Sequence, residues 1–140
     1  MKKYTLLALF IVISTINLFG QDTTYFDSKW KESNREESYY YRVDVKEGGL
    51  FTRTDFYIEN DQIQMQGNYE SLDPEIKTGH FVYYHSNGQL KHVGDYKNNK
   101  EIGEHLWYYD NGQTEAIETY EYGVLNGRYL EFSRDGNTTS

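Results

Sequence analysis

Cysteine is absent from this 140-residue chain, and proline occurs once. Without cysteine there are no disulfides, no thiolate chemistry and no cysteine to carry a lipid anchor. Stability must come from packing alone. Positive charge is also scarce. Removing Lys2 and Lys3 from the 14 basic residues leaves 12 against 22 acidic ones, a formal charge of −10 for the rest of the chain. That sign disfavours phosphate backbones, so no nucleic-acid partner is expected, and it disfavours an anionic membrane surface as well. The familiar catalytic signatures are missing too: there is no Gly-x-Ser-x-Gly, no phosphate loop and no His-Glu-x-x-His. Carboxylates such as Glu115, Glu118 and Glu121 are spaced as on a solvated strand rather than gathered as an acid–base pair. The chain reads as non-enzymatic, with no cofactor and no catalytic residues.

Only one long apolar run exists, and it lies at the N-terminus. Met1-Lys2-Lys3 is a positive start, Tyr4 to Phe19 carries no charge, and Gly20 offers a small residue for cleavage. This is the layout of a secretory signal peptide over residues 1–20. At 16 residues the run is short of the roughly 20 that span a bilayer as a helix; an uncleaved N-terminal anchor is the alternative. The expected location is periplasmic or extracellular. Residues 21–140 suffice for one small domain.

What the chain has in quantity is tyrosine, 15 of them, together with 12 glycines. Tyrosine suits pleated, half-exposed surfaces, because its ring packs while its hydroxyl stays wet. A repeat organises these residues. Gly79, Tyr83-Tyr84 and Asn87-Gly88 recur as Gly103, Trp107-Tyr108 and Asn111-Gly112, then in part as Gly127 and Asp135-Gly136, at a spacing of 24. Tyr96 and Tyr120 keep the same interval. Asn-Gly and Asp-Gly between aromatic or β-branched runs are hairpin signals, expected here as two-residue turns with positive φ at both positions. The fold expected is all-β: an antiparallel β-meander of repeated 24-residue hairpins in an elongated sheet.

Turn chemistry also predicts a register. If Asn87-Gly88 closes a two-residue loop, Val82 faces Val93; if Tyr96 faces Gly103, Val93 faces Leu106. The period then extends the row to Val82, Val93, Leu106, Ile117 and Leu130, with Tyr84, Lys91, Tyr108, Glu115 and Phe132 beside it. The opposite face carries Tyr83, His92, Trp107, Ala116 and Glu131, flanked by Phe81, Gly94, His105, Glu118 and Tyr129. The aliphatic face is taken as the principal buried one, since a one-residue slip would scatter its residues over both faces. Upstream, residues 39–78 look like degenerate hairpin units, with Gly48-Gly49 between two strands. Asp55 and Gln66 stand where the repeat would place valines, so either the face or the register changes there. Residues 21–38 form a polar segment, a tail or an edge.

Gly79, Tyr83-Tyr84, Asn87-Gly88-Gln89 and Tyr96, repeated at Gly103, Trp107-Tyr108, Asn111-Gly112-Gln113 and Tyr120, resemble the variant MORN repeat of exported bacterial proteins, some of which are labelled antitoxin-like. The resemblance covers residues 79–140 and weakly Phe56 to Tyr69. It implies β-hairpins in an elongated sheet without a cofactor, and offers no catalytic residue to carry over.

The four histidines do not converge as a metal site, which needs three or four ligands about 2 Å from one ion. His85, His92 and His105 are expected on the aromatic face and His80 on the other. The stripe of Phe81, Tyr83, Trp107, Tyr109 and Tyr129 is either a second packing face or a recognition surface. On the second reading Tyr83, His92, Trp107 and Tyr109 form an exposed partner-binding cluster. The function expected is that of a protein-binding or scaffolding module whose partner is another protein or a cell-envelope component. The alternative is an antitoxin-like neutraliser of a partner protein, which an export signal opposes.

Overall fold

The computed structural model describes residues 23–139; the expected signal peptide lies outside them. The described residues form one open antiparallel sheet of nine strands in sequential order. These are β1 (Thr23–Phe26), β2 (Tyr40–Glu47), β3 (Leu50–Tyr57), β4 (Ile63–Leu72), β5 (Glu75–Tyr84), β6 (Leu90–Lys97), β7 (Lys100–Tyr108), β8 (Thr114–Glu121) and β9 (Val124–Glu131). A single 3-10 turn at Arg35–Glu37 follows β1. The polar segment before Tyr39 therefore contributes an edge strand, with Thr24 opposite Arg42 and Phe26 opposite Tyr40.

The aliphatic row pairs across five strands as its spacing predicts: Val82 with Val93, Val93 with Leu106, Leu106 with Ile117, Ile117 with Leu130. The row continues backwards through Gln66, Thr54 and Val43 to Thr23. The register beside it departs from expectation. Tyr96 faces Glu101 rather than Gly103, because Asn98-Asn99 makes a tight turn and two extra residues in β7 restore the pairing of Val93 with Leu106. The same insertion falls at Gly79 and Gly127. All three glycines have positive φ, between 72 and 125°, where an L side chain is strained. That requirement is the physical content of the 24-residue glycine spacing. Lys91 and Glu115 are likewise extra residues, so Tyr84 pairs with Leu90 and Tyr108 with Thr114. Near Asp55 the register shifts in the same way, and Asp55 faces Met65 while Gln66 keeps the aliphatic row.

The turns also exchange roles. Two-residue turns with positive φ at both positions occur at Gly48-Gly49, Asn98-Asn99 and Tyr122-Gly123. At Asn87-Gly88 only Gly88 is left-handed. There Gly88 N donates to His85 O at 2.9 Å and His85 N to Gln89 O at 2.8 Å, a type I turn closed by a left-handed glycine. The Asn87 side chain instead reaches outward, and its Nδ2 donates to Asp110 O, 2.7 Å away on the next turn. Asn60 reaches Ser86 O and Asn111 reaches Arg134 O in the same way. Beside this ladder runs a second, in which Tyr57, His85 and Tyr109 donate to the carbonyls of Tyr84, Tyr108 and Phe132. Each hairpin tip is thereby tied to the following one.

The buried face is the aromatic one, which reverses the expectation from sequence. Val82, Val93, Leu106, Ile117 and Leu130 are only half-buried, whereas Met65, Tyr69, Phe81, His92, Tyr96, His105 and Ala116 are buried. The reason is close approach over glycine. A Cβ built on Gly67 would lie 2.2 Å from the Phe81 ring, and one on Gly94 2.3 Å from His105. Large rings lie flat on these bare strands and cover the face without a second layer. Alanine at position 94 must push His105 aside, an overpacking cost of about 1–3 kcal/mol. We therefore expect Gly94→Ala to lower the urea midpoint more than Val93→Ala, which trims a half-buried side chain. The opposite ranking contradicts the assignment of the buried face.

Candidate functional site

The aromatic face is built from two parallel ladders. In the first, Tyr83, His92 and Trp107 stand opposite one another on β5, β6 and β7. Their rings stack, with centroids 5.4 Å apart for Tyr83–His92 and 3.7 Å for His92–Trp107. In the second, the rings meet edge to face in sequence: Tyr69–Phe81 at 5.3 Å, Phe81–Tyr96 at 5.0 Å, Tyr96–His105 at 5.4 Å and His105–Tyr120 at 5.1 Å. The edge-to-face geometry of the second suits the ring quadrupole. The period is visible in the members: Phe81 and His105 are 24 residues apart, as are Tyr96 and Tyr120.

A hydrogen-bond relay joins the ladders. His105 Nε2 lies 3.1 Å from Asp95 O, a carbonyl that can only accept, so this nitrogen carries the proton. His105 Nδ1 in turn shares a hydrogen bond with His92 Nε2 at 3.0 Å. Exposures of 3% for His92 and 1% for His105 leave little water access. Burial, then the neighbouring His105, Lys77 and Lys91, lower the His92 pKa to about 4. Burial likewise raises the Tyr83 hydroxyl to about 12. Over the second ladder, Lys77 Nζ sits 5.0 Å from the Phe81 centroid and 4.9 Å from that of Tyr96, and donates to Tyr83 OH at 3.1 Å. The ammonium is held by rings and a hydroxyl, a cation–π arrangement.

Toward β2 and β3 the face turns ionic. Arg42 grips Asp55 through two bonds of 2.7 and 2.9 Å, and Arg53 grips Asp44 through 2.8 and 3.0 Å while also meeting Glu75. Arg53 lies 4.8 Å over the Tyr69 ring and Arg42 4.8 Å over Phe26. The planar guanidinium can pair with a carboxylate at its edge and a ring at its face, so these two arginines couple the ionic and aromatic parts of the core. An open recess of about 290 Å³ lies at the junction, lined in part by Trp30, Arg42, Gln64, Met65 and Tyr83. Toward β9 the face ends at Glu118, which stands where the repeat has Gly94. Its carboxylate accepts from Trp107 Nε1 at 2.8 Å and Tyr120 OH at 2.9 Å.

Of the four residues expected to form an exposed cluster, the structure brings together Tyr83, His92 and Trp107. His92 is enclosed in the stack rather than exposed. Tyr109 stands apart at the hairpin tip, its hydroxyl on Phe132 O and Arg134 over its ring. His85 is also at a tip, and His80 faces Asp95 on the outer surface. Among the described residues no three histidine, cysteine or acidic side chains are placed to hold a metal ion. His105, Lys77 and Gly94 were the residues whose part the sequence concealed; the one available signal was the interval linking Phe81 to His105.

Comparison with protein-family models, curated proteins and solved structures finds no match in any of the three.

The imidazole relay has a consequence for stability. An unfolded histidine titrates near 6.5, so between about 6.5 and 4 the unfolded chain binds a proton that folded His92 does not. Stability is complete above this window and falls as the pH drops through it, by up to about 1.4 kcal/mol per unit. Melting followed from pH 7.5 to 5 should show a Tm nearly level down to about pH 6.5 and falling below it, and His92→Phe should flatten that fall. A wild-type profile flat over this whole range contradicts the buried, neutral His92.

Proposed function

We propose that this chain is an exported, non-catalytic β-repeat protein of the variant MORN type, acting as a protein-binding or scaffolding module in the periplasm or outside the cell. The observation that carries this reading is the outer row. Val82, Val93, Leu106, Ile117 and Leu130 run unbroken across five strands, half-exposed, with no second layer over them among the described residues. A sheet ordinarily covers an apolar face with another element, and an apolar band at a surface is a common mark of association. The aromatic face supports the same reading from the other side. Its histidines, arginines and carboxylates are bonded to each other, to neighbouring rings or to backbone, in roles that hold the strands together rather than process a substrate. The charge of −10 outside the leader favours a partner with basic residues over an anionic lipid surface or a nucleic acid.

Two measurements test the proposal. Mass spectrometry of protein from the native host should find residues 1–20 or 1–21 removed; a full-length chain held in the membrane fraction replaces export with anchoring. A photo-crosslinking residue in place of Leu106 should give a discrete protein adduct in intact cells, while one in place of buried Phe81 should give none. Absence of an adduct from position 106 under conditions where the protein is folded contradicts the binding role.

A further inference from the structure

Ala116 interrupts a row of rings. Tyr83, His92 and Trp107 stack across β5, β6 and β7, and the next position of that row, opposite Trp107 on β8, is Ala116. The His92 and Trp107 planes lie within 8° of parallel with centroids 3.7 Å apart, so the far face of the indole looks across the Ala116 methyl. A recess of about 340 Å³ opens there, at the low end of the roughly 300–1,000 Å³ that small-ligand sites occupy. The indole is fixed in place, since its Nε1 donates to Glu118 at 2.8 Å.

Three departures from the 24-residue repeat meet in this recess. Ala116 stands 24 residues after His92, Glu115 after Lys91 and Glu118 after Gly94. Together they take away one ring and one ammonium and bring in two carboxylates. Glu115, Glu118 and Glu131 line the recess against one base, the exposed Lys91, so its net charge is negative. Glu118 takes the bonds from Trp107 Nε1 and Tyr120 OH on the same oxygen, Oε2, which leaves Oε1 for a further donor. A ring at position 116 would have continued the stack; the chain has instead opened the face of Trp107 and set carboxylates around it.

Three other places in the chain show what fits such a setting. Arg42 lies over Phe26 and pairs with Asp55, Arg53 lies over Tyr69 and pairs with Asp44, and Arg134 lies over Tyr109 and pairs with Asp110. Each is a guanidinium with a ring at its face and a carboxylate at its edge. At Trp107 the ring and the carboxylate are present, and no arginine of the chain lines the recess. We propose that the Ala116 recess receives an arginine side chain of another protein, stacked on the face of Trp107 turned away from His92 and paired with Glu118 Oε1. This rests on the protein-binding reading above and gives it an anchor residue. Arginine suits the recess better than lysine, because a planar fork can stack and pair with a carboxylate at once, whereas an ammonium is a compact point charge. A second copy is disfavoured as the donor, since two chains of charge −10 outside the leader repel each other.

The probe is N-acetyl-arginine amide, followed by NMR through the indole N–H resonances of the two tryptophans, Trp30 and Trp107. The Trp107 resonance should shift saturably in the millimolar range while that of Trp30 stays in place. N-acetyl-lysine amide should bind about fivefold more weakly. Glu118→Gln should weaken arginine binding about fivefold, and Ala116→Leu, which fills the recess, should abolish the shift. If Ala116→Leu does not fold, the Glu118 variant and the lysine comparison still decide. No saturation at tens of millimolar, equal affinity for the two compounds, or a Trp107 shift that survives the substitutions would overturn the arginine site. A Trp107 resonance that moves with protein concentration alone would assign the recess to a second copy and overturn it as well. The adduct at position 106 separates the two ideas. Adducts without arginine binding remove the recess and leave the binding role, while arginine binding without adducts keeps the recess and removes that evidence for the wider role.

Discussion

An aromatic ring resting on a bare strand is the contact on which the rest of this structure depends. Phe81 lies against Gly67 and His105 against Gly94, too close for any Cβ between them. A single-layer sheet has no second element to cover its apolar face, so its own rings must do so, and they can lie flat only where the strand beneath has no side chain. The extent of the core follows. Where the repeat replaces glycine by Glu118, the next ring, Tyr129, stays out in solvent. At the other end the arginine–carboxylate lattice of Arg42, Asp55, Arg53 and Asp44 continues the face in ionic form. Buried charge on that scale is tolerable because each guanidinium is paired at its edge and covered by a ring at its face.

The hairpin tips reinforce this core from outside it. Asn60, Asn87 and Asn111 each donate to a carbonyl of the following tip, and Tyr57, His85 and Tyr109 do the same alongside. Neighbouring units are therefore fastened through backbone acceptors that any sequence supplies. Such nearest-neighbour fastening is the logic of repeat architectures. For function it means that the outer aliphatic row is presented on a sheet held at its tips and across its inner face.

Much of the architecture was legible because period and pairing are one-dimensional. The 24-residue interval located the hairpins, and the pairing of Val82, Val93, Leu106, Ile117 and Leu130 followed from it, as did the row of Tyr83, His92, Trp107, Ala116 and Glu131. The extra residues were not legible. Gly103-Glu104, Lys91 and Glu115 insert into strands without disturbing the overall interval, and opposing shifts left Val93 facing Leu106 although Tyr96 faces Glu101. The choice of buried face failed for a different reason. Hydropathy ranks Val and Ile above Tyr, His and Trp, but burial here was decided by Gly67 and Gly94, whose missing side chains count for nothing on such a scale. For the same reason the exposed cluster expected around His92 is instead a stack in which Tyr83 and Trp107 enclose it. Asn87-Gly88 carried a turn signal that was right about place and wrong about type, because the asparagine serves the neighbouring tip rather than a positive φ.

Gly67 and Gly94 are the two residues on which this core turns, and solution NMR reads them directly. A ring stacked on a glycine Cα shields its protons. The Hα resonances of Gly67 and Gly94 should therefore lie well upfield of those of Gly48 and Gly103, which have no atom within reach of a Cβ. His105→Ala should return Gly94 to the ordinary range while Gly67 stays shifted. Unshifted Gly67 and Gly94 protons in the folded protein would contradict the ring-on-glycine core, because the aromatic face would then be closed by something other than its own rings.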